Sequence, residues 1–134
     1  ATVDAAGKVT VKGPGVVKIT VKAAATTDYK AASKTVTVTV APKKQSISLV
    51  NKIKKQLTIK WKKNTKASGY QVVYSTNKKF TGKKTVRKAK TTTSYKIKGL
   101  KKGEKYYVKV RSYKTVNGKR IYGAYSTAKK ATIK

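Results

Sequence analysis

Apolar and polar residues change places at every second position along most of this chain. In Gln56–Lys63, Leu57, Ile59 and Trp61 fall on one side of an extended backbone, and Thr58, Lys60 and Lys62 on the other. Gly69–Ser75 repeats the pattern with Tyr70, Val72 and Tyr74. Lys105–Lys114 puts Tyr106, Val108 and Val110 on one face and Tyr107, Lys109, Arg111 and Tyr113 on the other. Val16–Ala23 and Thr35–Val40 alternate in the same way. A helix cannot segregate such a pattern, whereas a half-buried strand does so automatically. Turn-forming groups separate the runs: Gly13-Pro14-Gly15, Lys66 to Gly69, Thr81-Gly82, Lys102-Gly103 and Asn117-Gly118. Many short strands at close spacing predict an all-β, antiparallel sandwich. The segment Thr26–Lys34 is expected to make one helical turn at most.

Charge divides the chain. Ala1–Pro42 carries six Lys and two Asp, net +4, and Lys43–Lys134 carries 29 basic residues and one Glu, net +28. Pro42 cannot donate to a central ladder. The predicted organisation is therefore a first β segment over 1–40, a linker over 41–45, and a second domain over 46–134. Of the 35 basic residues only Arg87, Arg111 and Arg120 are Arg. Lys is a hydrated point charge, whereas Arg offers a planar fork, so this balance suits non-specific attraction to polyanions better than base reading.

The residue inventory removes whole classes of chemistry. With no His or Cys, zinc sites, thiol nucleophiles and imidazole bases are excluded. Three acids, Asp4, Asp28 and Glu104, cannot build a calcium cage or a glycosidase pair. No catalytic residue, cofactor site or metal site is expected. No apolar run approaches the roughly 20 residues of a membrane-spanning helix, so no membrane insertion is expected.

From Lys43 onward the order of features resembles a fibronectin type III domain. The carriers are Trp61 in the second strand, Gly69-Tyr70 with Val72 in the third, and the corner Gly99–Val110, where Leu100 precedes Tyr106 by six residues. The resemblance implies a structural core containing Trp61, Tyr70, Val72, Leu100, Tyr106, Val108 and Val110. It also implies that the Tyr106 hydroxyl bonds backbone near the corner. Ala1–Val40 resembles the C-terminal half of a bacterial immunoglobulin-like domain of the group-2 type, carried by "ATVDAAGKVTVKGPGVVKITV" and "KTVTVTV". The opening strands of that domain are expected to be missing. The half domain should then pack on the second domain, pair with another copy, or be loosely ordered. Tandem modules of these families imply an extracellular origin, secreted or released from a surface protein of a Gram-positive gut bacterium. Thr91–Val110 is further similar to irisin-like fibronectin type III polypeptides of gut Ruminococcus, which implies hormone-like signalling to host cells.

The candidate binding face is the outward stripe Tyr107, Lys109, Arg111 and Tyr113, with Gln71 and Val73 of the neighbouring strand beside it. Asn117, Lys119 and Arg120 add candidate loop contacts. The tripeptide Arg-Gly-Asp, which serves integrin binding in this loop of fibronectin, is absent. Three readings stand open. One is a binding module that meets a host receptor or another protein. A second is a spacer or adhesin module held to anionic wall polymers or glycans by charge. The third is a non-specific nucleic-acid binder. In each, the stripe competes with a plainer role as a solvated sheet face whose tyrosines serve strand formation.

Overall fold

A computed structural model describes residues 1–134. All regular structure is β. The first part holds β1 (Thr2–Val3), β2 (Val9–Thr10), β3 (Gly15–Ala23) and β4 (Ala32–Val40). β1 pairs with β2, and β3 pairs with β4 along nine positions from Gly15↔Val40 to Ala23↔Ala32. This register puts Val17, Ile19 and Val21 on one face with Val36, Val38 and Val40. Threonines line the other face, where the Thr20 and Thr35 hydroxyls lie 2.9 Å apart. The expected helical turn at Thr26–Lys34 does not form. Thr26 instead closes the hairpin loop, its N–H donating to the Tyr29 carbonyl and its hydroxyl accepting from the Tyr29 N–H. Tyr29 is exposed there, with no core to hold a helix face.

The second part holds β5 (Ile47–Val50), β6 (Gln56–Trp61), β7 (Gly69–Ser75), β8 (Lys84–Ala89), β9 (Ser94–Lys98), β10 (Lys105–Val116), β11 (Lys119–Tyr122) and β12 (Lys129–Thr132). Three strands form one sheet in the order β5-β6-β9. The other sheet runs β11-β10-β7-β8, with β12 on the opposite end of the same β10 edge. The alternating apolar faces of both sheets meet. Leu57, Ile59, Trp61 and Ile97 from one side pack on Tyr70, Val72, Tyr74, Val108 and Val110 from the other, with Leu100 and Ile133 closing the end. Trp61 and Tyr70 stack at 5.4 Å between ring centroids, tilted by 54°. Burying such rings dominates the energetics of a core this small.

Asn117 and Gly118 both have positive φ, 48° and 75°, the geometry a two-residue type I′ turn demands. They join β10 to β11 and set Val116 opposite Lys119. The last strand is broken between β11 and β12. Gly123 there faces the Pro42 carbonyl so closely that a side chain would collide with it. The Ser126 hydroxyl replaces a ladder acceptor, taking the Val110 N–H at 3.0 Å.

Ala41–Gln45 forms no strand, yet it is not a free connector. Pro42 and Gln45 are buried. The Gln45 amide lies 3.3 Å from the Ser112 hydroxyl, which in turn donates to the Lys43 carbonyl. The first part meets the second where the Lys66 ammonium donates to the Lys12 carbonyl and the Lys66 stem lies against Gly13.

Candidate functional site

The outer face of the larger sheet carries the most developed side-chain arrangement in the molecule. Register fixes its members. Lys109 lies opposite Val73, Arg111 opposite Gln71, and Tyr113 opposite Gly69 across β10 and β7. On the other edge, Tyr113 lies opposite Tyr122 and Thr115 opposite Arg120. These side chains interleave cation with ring. The Lys109 ammonium lies 4.0 Å from the Phe80 ring centre and 4.5 Å from that of Tyr125. The Arg111 guanidinium lies 4.3 Å from Tyr125 and 3.8 Å from Tyr122. Tyr122 packs on Tyr113 at 5.7 Å, and Arg120 covers Tyr113 at 5.6 Å. The run Phe80, Lys109, Tyr125, Arg111, Tyr122, Tyr113 and Arg120 thus crosses the sheet as one layered cluster.

Gln71 and Val73 lie beneath this layer rather than beside it. They are 8% and 0% exposed, so neither can touch a partner. The expectation that both belong to the contact face is corrected: both are buried, with Arg111 and Tyr125 bonded to Gln71 and Lys109 opposite Val73. Gln71 has a different task. Its Oε1 accepts from Arg111 Nε at 2.6 Å and from the Tyr125 hydroxyl at 3.1 Å. Because guanidinium nitrogens only donate, this contact fixes which way the amide points. The buried oxygen anchors the middle of the cluster.

The remaining candidates separate. Tyr107 is half-buried at the far end, between Ser75 and Lys130 in register. Arg120 joins the cluster. Asn117 occupies the turn, and Lys119 points to the opposite face. Phe80, Tyr122 and Tyr125 escaped the sequence reading. Tyr122 was within reach of it, because a two-residue turn at Asn117-Gly118 already places Tyr122 opposite Tyr113. Phe80 adopts φ of 60°, which no simple pattern announces for an aromatic residue. The loop holds it there through the Phe80 N–H to the Asn77 carbonyl and the Ser75 hydroxyl to the Thr81 carbonyl.

Burial, together with the positive charges of Lys83 and Arg111, holds the Lys109 ammonium below its ordinary value of 10.5. The two ring faces pull the other way by favouring the charged form, but burial and like charge set the direction. At the corner, Tyr106 is half-buried against the core. Its hydroxyl donates to Glu104 Oε2 at 3.0 Å, and the backbone of Lys101 at the corner also hydrogen-bonds to it, as the family resemblance implies. Burial raises the Tyr106 pKa above 10.0, and the bond to Glu104 and its negative charge add to the rise. No group of three or more His, Cys, Asp or Glu residues comes together in a way that could hold a metal ion. No helix is long and apolar enough to cross a membrane.

A sequence profile of the fibronectin type III domain matches residues 40–128. The chain belongs to the fibronectin type III family. Domains of this family are in general non-enzymatic modules for protein–protein contact and are typically extracellular. The sixth fibronectin type III domain of human fibronectin type III domain containing protein 3 superposes with a TM-score of 0.58 at 15% identity, covering 72% of this chain and 88% of that one. The domain from human contactin 1 gives 0.57 at 15% identity, covering 66% and 73%. A solved myokine gives 0.55 at 15% identity, covering 69% and 98%. At such identities the likeness is one of fold. A Kelch domain-containing protein of Sulfurisphaera tokodaii is 35% identical over 85 residues, 63% of this chain. The match spans 11% of that protein's length.

Proposed function

We propose that this fibronectin type III chain is a secreted or surface-derived binding module that engages a receptor protein through the outer face of its larger sheet. The layered cluster of Tyr113, Tyr122, Tyr125, Arg111 and Arg120 carries the reading. Tyr and Arg are enriched at binding hot spots, and Tyr presents large, rigid contact area at small entropic cost. Here their rotamers are already held by stacking and by Gln71. A partner would meet a preorganised surface. Under this reading, residues 1–40 are the closing strands of a bacterial immunoglobulin-like domain, and the chain acts on host cells in the manner of an irisin-like polypeptide.

The test is capture from host-cell membranes at about 300 mM salt, where the Debye length falls to about 6 Å. Capture of one protein should persist there and disappear when Tyr113→Ala and Arg120→Ala are combined, while Lys52→Gln leaves it intact. Capture that vanishes with salt and ignores the double variant would overturn the reading.

One observation favours a second reading. Only three acids face 35 cations, so at most three cations can be neutralised within the chain. A spacer held to anionic wall polymers would use that excess directly. Its binding would track polymer charge density and tolerate any single Lys→Gln change.

A further inference from the structure

β8 is the terminal strand of its sheet, with β7 on one side and no strand on the other. The Lys88 carbonyl oxygen lies 2.6 Å from where a Gly69 side chain would begin, so Lys88 directs its backbone at β7. Strand alternation gives Val86 and Lys84 the same direction and turns Thr85, Arg87 and Ala89 outward. The Ala89 carbonyl is taken by the Thr92 N–H at 3.1 Å. The outward groups are then the N–H and C=O of Thr85, the N–H and C=O of Arg87, and the N–H of Ala89.

Charge frames this row on both sides. Lys83, Lys84, Arg87, Lys88 and Lys90 lie within the same short stretch, and every acid of the chain lies elsewhere in sequence. Lys88 reaches inward and rests over the Tyr95 ring at 4.2 Å, a cation placed on the core side of an edge strand. Such a strand repels its own copy, because antiparallel self-pairing sets like charges opposite one another. The same charges attract a strand of opposite sign.

We propose that the open edge of β8 accepts an extended acidic segment of a partner protein as an added strand. The backbone row supplies the hydrogen bonds and the flanking cations select the partner's carboxylates. A polyanion without a peptide backbone satisfies only the second requirement. This inference rests on the protein-binding reading but uses a different surface from the aromatic cluster, so each can fail alone.

The experiment titrates the full chain, isotope-labelled for NMR, with an alternating Glu-Thr peptide of about ten residues, enough to span the strand. The same peptide N-methylated at every residue and a sulfated oligosaccharide serve as the other arms. Amide exchange at Thr85, Arg87 and Ala89 should slow by about tenfold or more on peptide binding, with little change at Lys84, Val86 and Lys88. N-methylation should weaken binding by about tenfold or more, since it removes hydrogen bonds and leaves charge. Arg87→Pro removes an outward N–H without taking a bond from the β7 ladder, and should weaken binding more than Arg87→Gln does. Equal affinity of the two peptides overturns the proposal even if the proline variant fails to fold. Binding mapped to Tyr113, Tyr122 and Tyr125 overturns the edge assignment while sparing the cluster. Absence of peptide binding overturns the edge assignment too, and receptor capture through the cluster then stands on its separate test.

Discussion

Gly69 shows how much one missing methyl can organise. The outer end of the Tyr113 ring sits over it, with the hydroxyl 2.5 Å and Cζ 2.7 Å from where a side chain would begin, and the Lys88 carbonyl lies 2.6 Å from the same point. Gly69→Ala should therefore destabilise the domain by about 1–3 kcal/mol, the usual cost of overpacking a closed site. An unchanged urea midpoint would contradict this packing. Tyr106 gives a prediction with a definite sign. Its folded pKa lies above the ordinary 10.0, so the folded chain keeps a proton that the unfolded chain loses. The associated stability is fully present below pH 10.0 and is lost as pH rises through the folded value. The stability gap between the native chain and Tyr106→Phe should be flat to about pH 10 and narrow above it. A gap that widens in alkali would show the hydroxyl doing the opposite.

Among the elements, β7 ties the core to the outer cluster. Tyr70, Val72 and Tyr74 serve the core, while Gln71 and Val73 support the cluster. Gln71→Leu keeps the bulk but strips Arg111 and Tyr125 of their acceptor. The loss should be about 1–3 kcal/mol by chemical denaturation, and Gln71→Glu, which keeps an acceptor, should lose less. Coincident midpoints for the two variants would remove Gln71 from its anchoring role. The strands themselves were legible because alternation at period two is a local signal, and Gly69–Ser75 reads from sequence with the boundaries it has in the fold. The covering of Gln71 was not, because Tyr125, which bonds it, reaches it from a segment where the strand is broken. Broken strands carry no alternation to extrapolate. The bond from Tyr106 to Glu104 joins residues two apart on extended backbone, which share one face.

For the whole molecule, 35 cations against three acids make repulsion the largest electrostatic term. Added salt should raise the melting temperature between about 20 and 300 mM, since screening relieves repulsion over the distances that separate surface lysines. A melting temperature that falls with salt would mean that attractive pairs dominate after all. The break in the final strand has a mechanical consequence. A tensile load entering at Lys134 meets the bond from the Lys55 N–H to the Lys134 carbonyl and then β12, a short zipper running from Lys105↔Thr132 to Val108↔Lys129. Ile133 is its plug, 2% exposed and bonded through its N–H to the Glu104 carbonyl and through its carbonyl to the Gly103 N–H. Once that plug is drawn, force passes to Gly123–Ala128, which is held to β10 by the Gly123 N–H on the Ser112 carbonyl and by Ser126 on Val110, before it reaches β11. The domain would yield from β12 inward, with Tyr113, Tyr122 and Arg120 of the aromatic cluster on the part that holds longer.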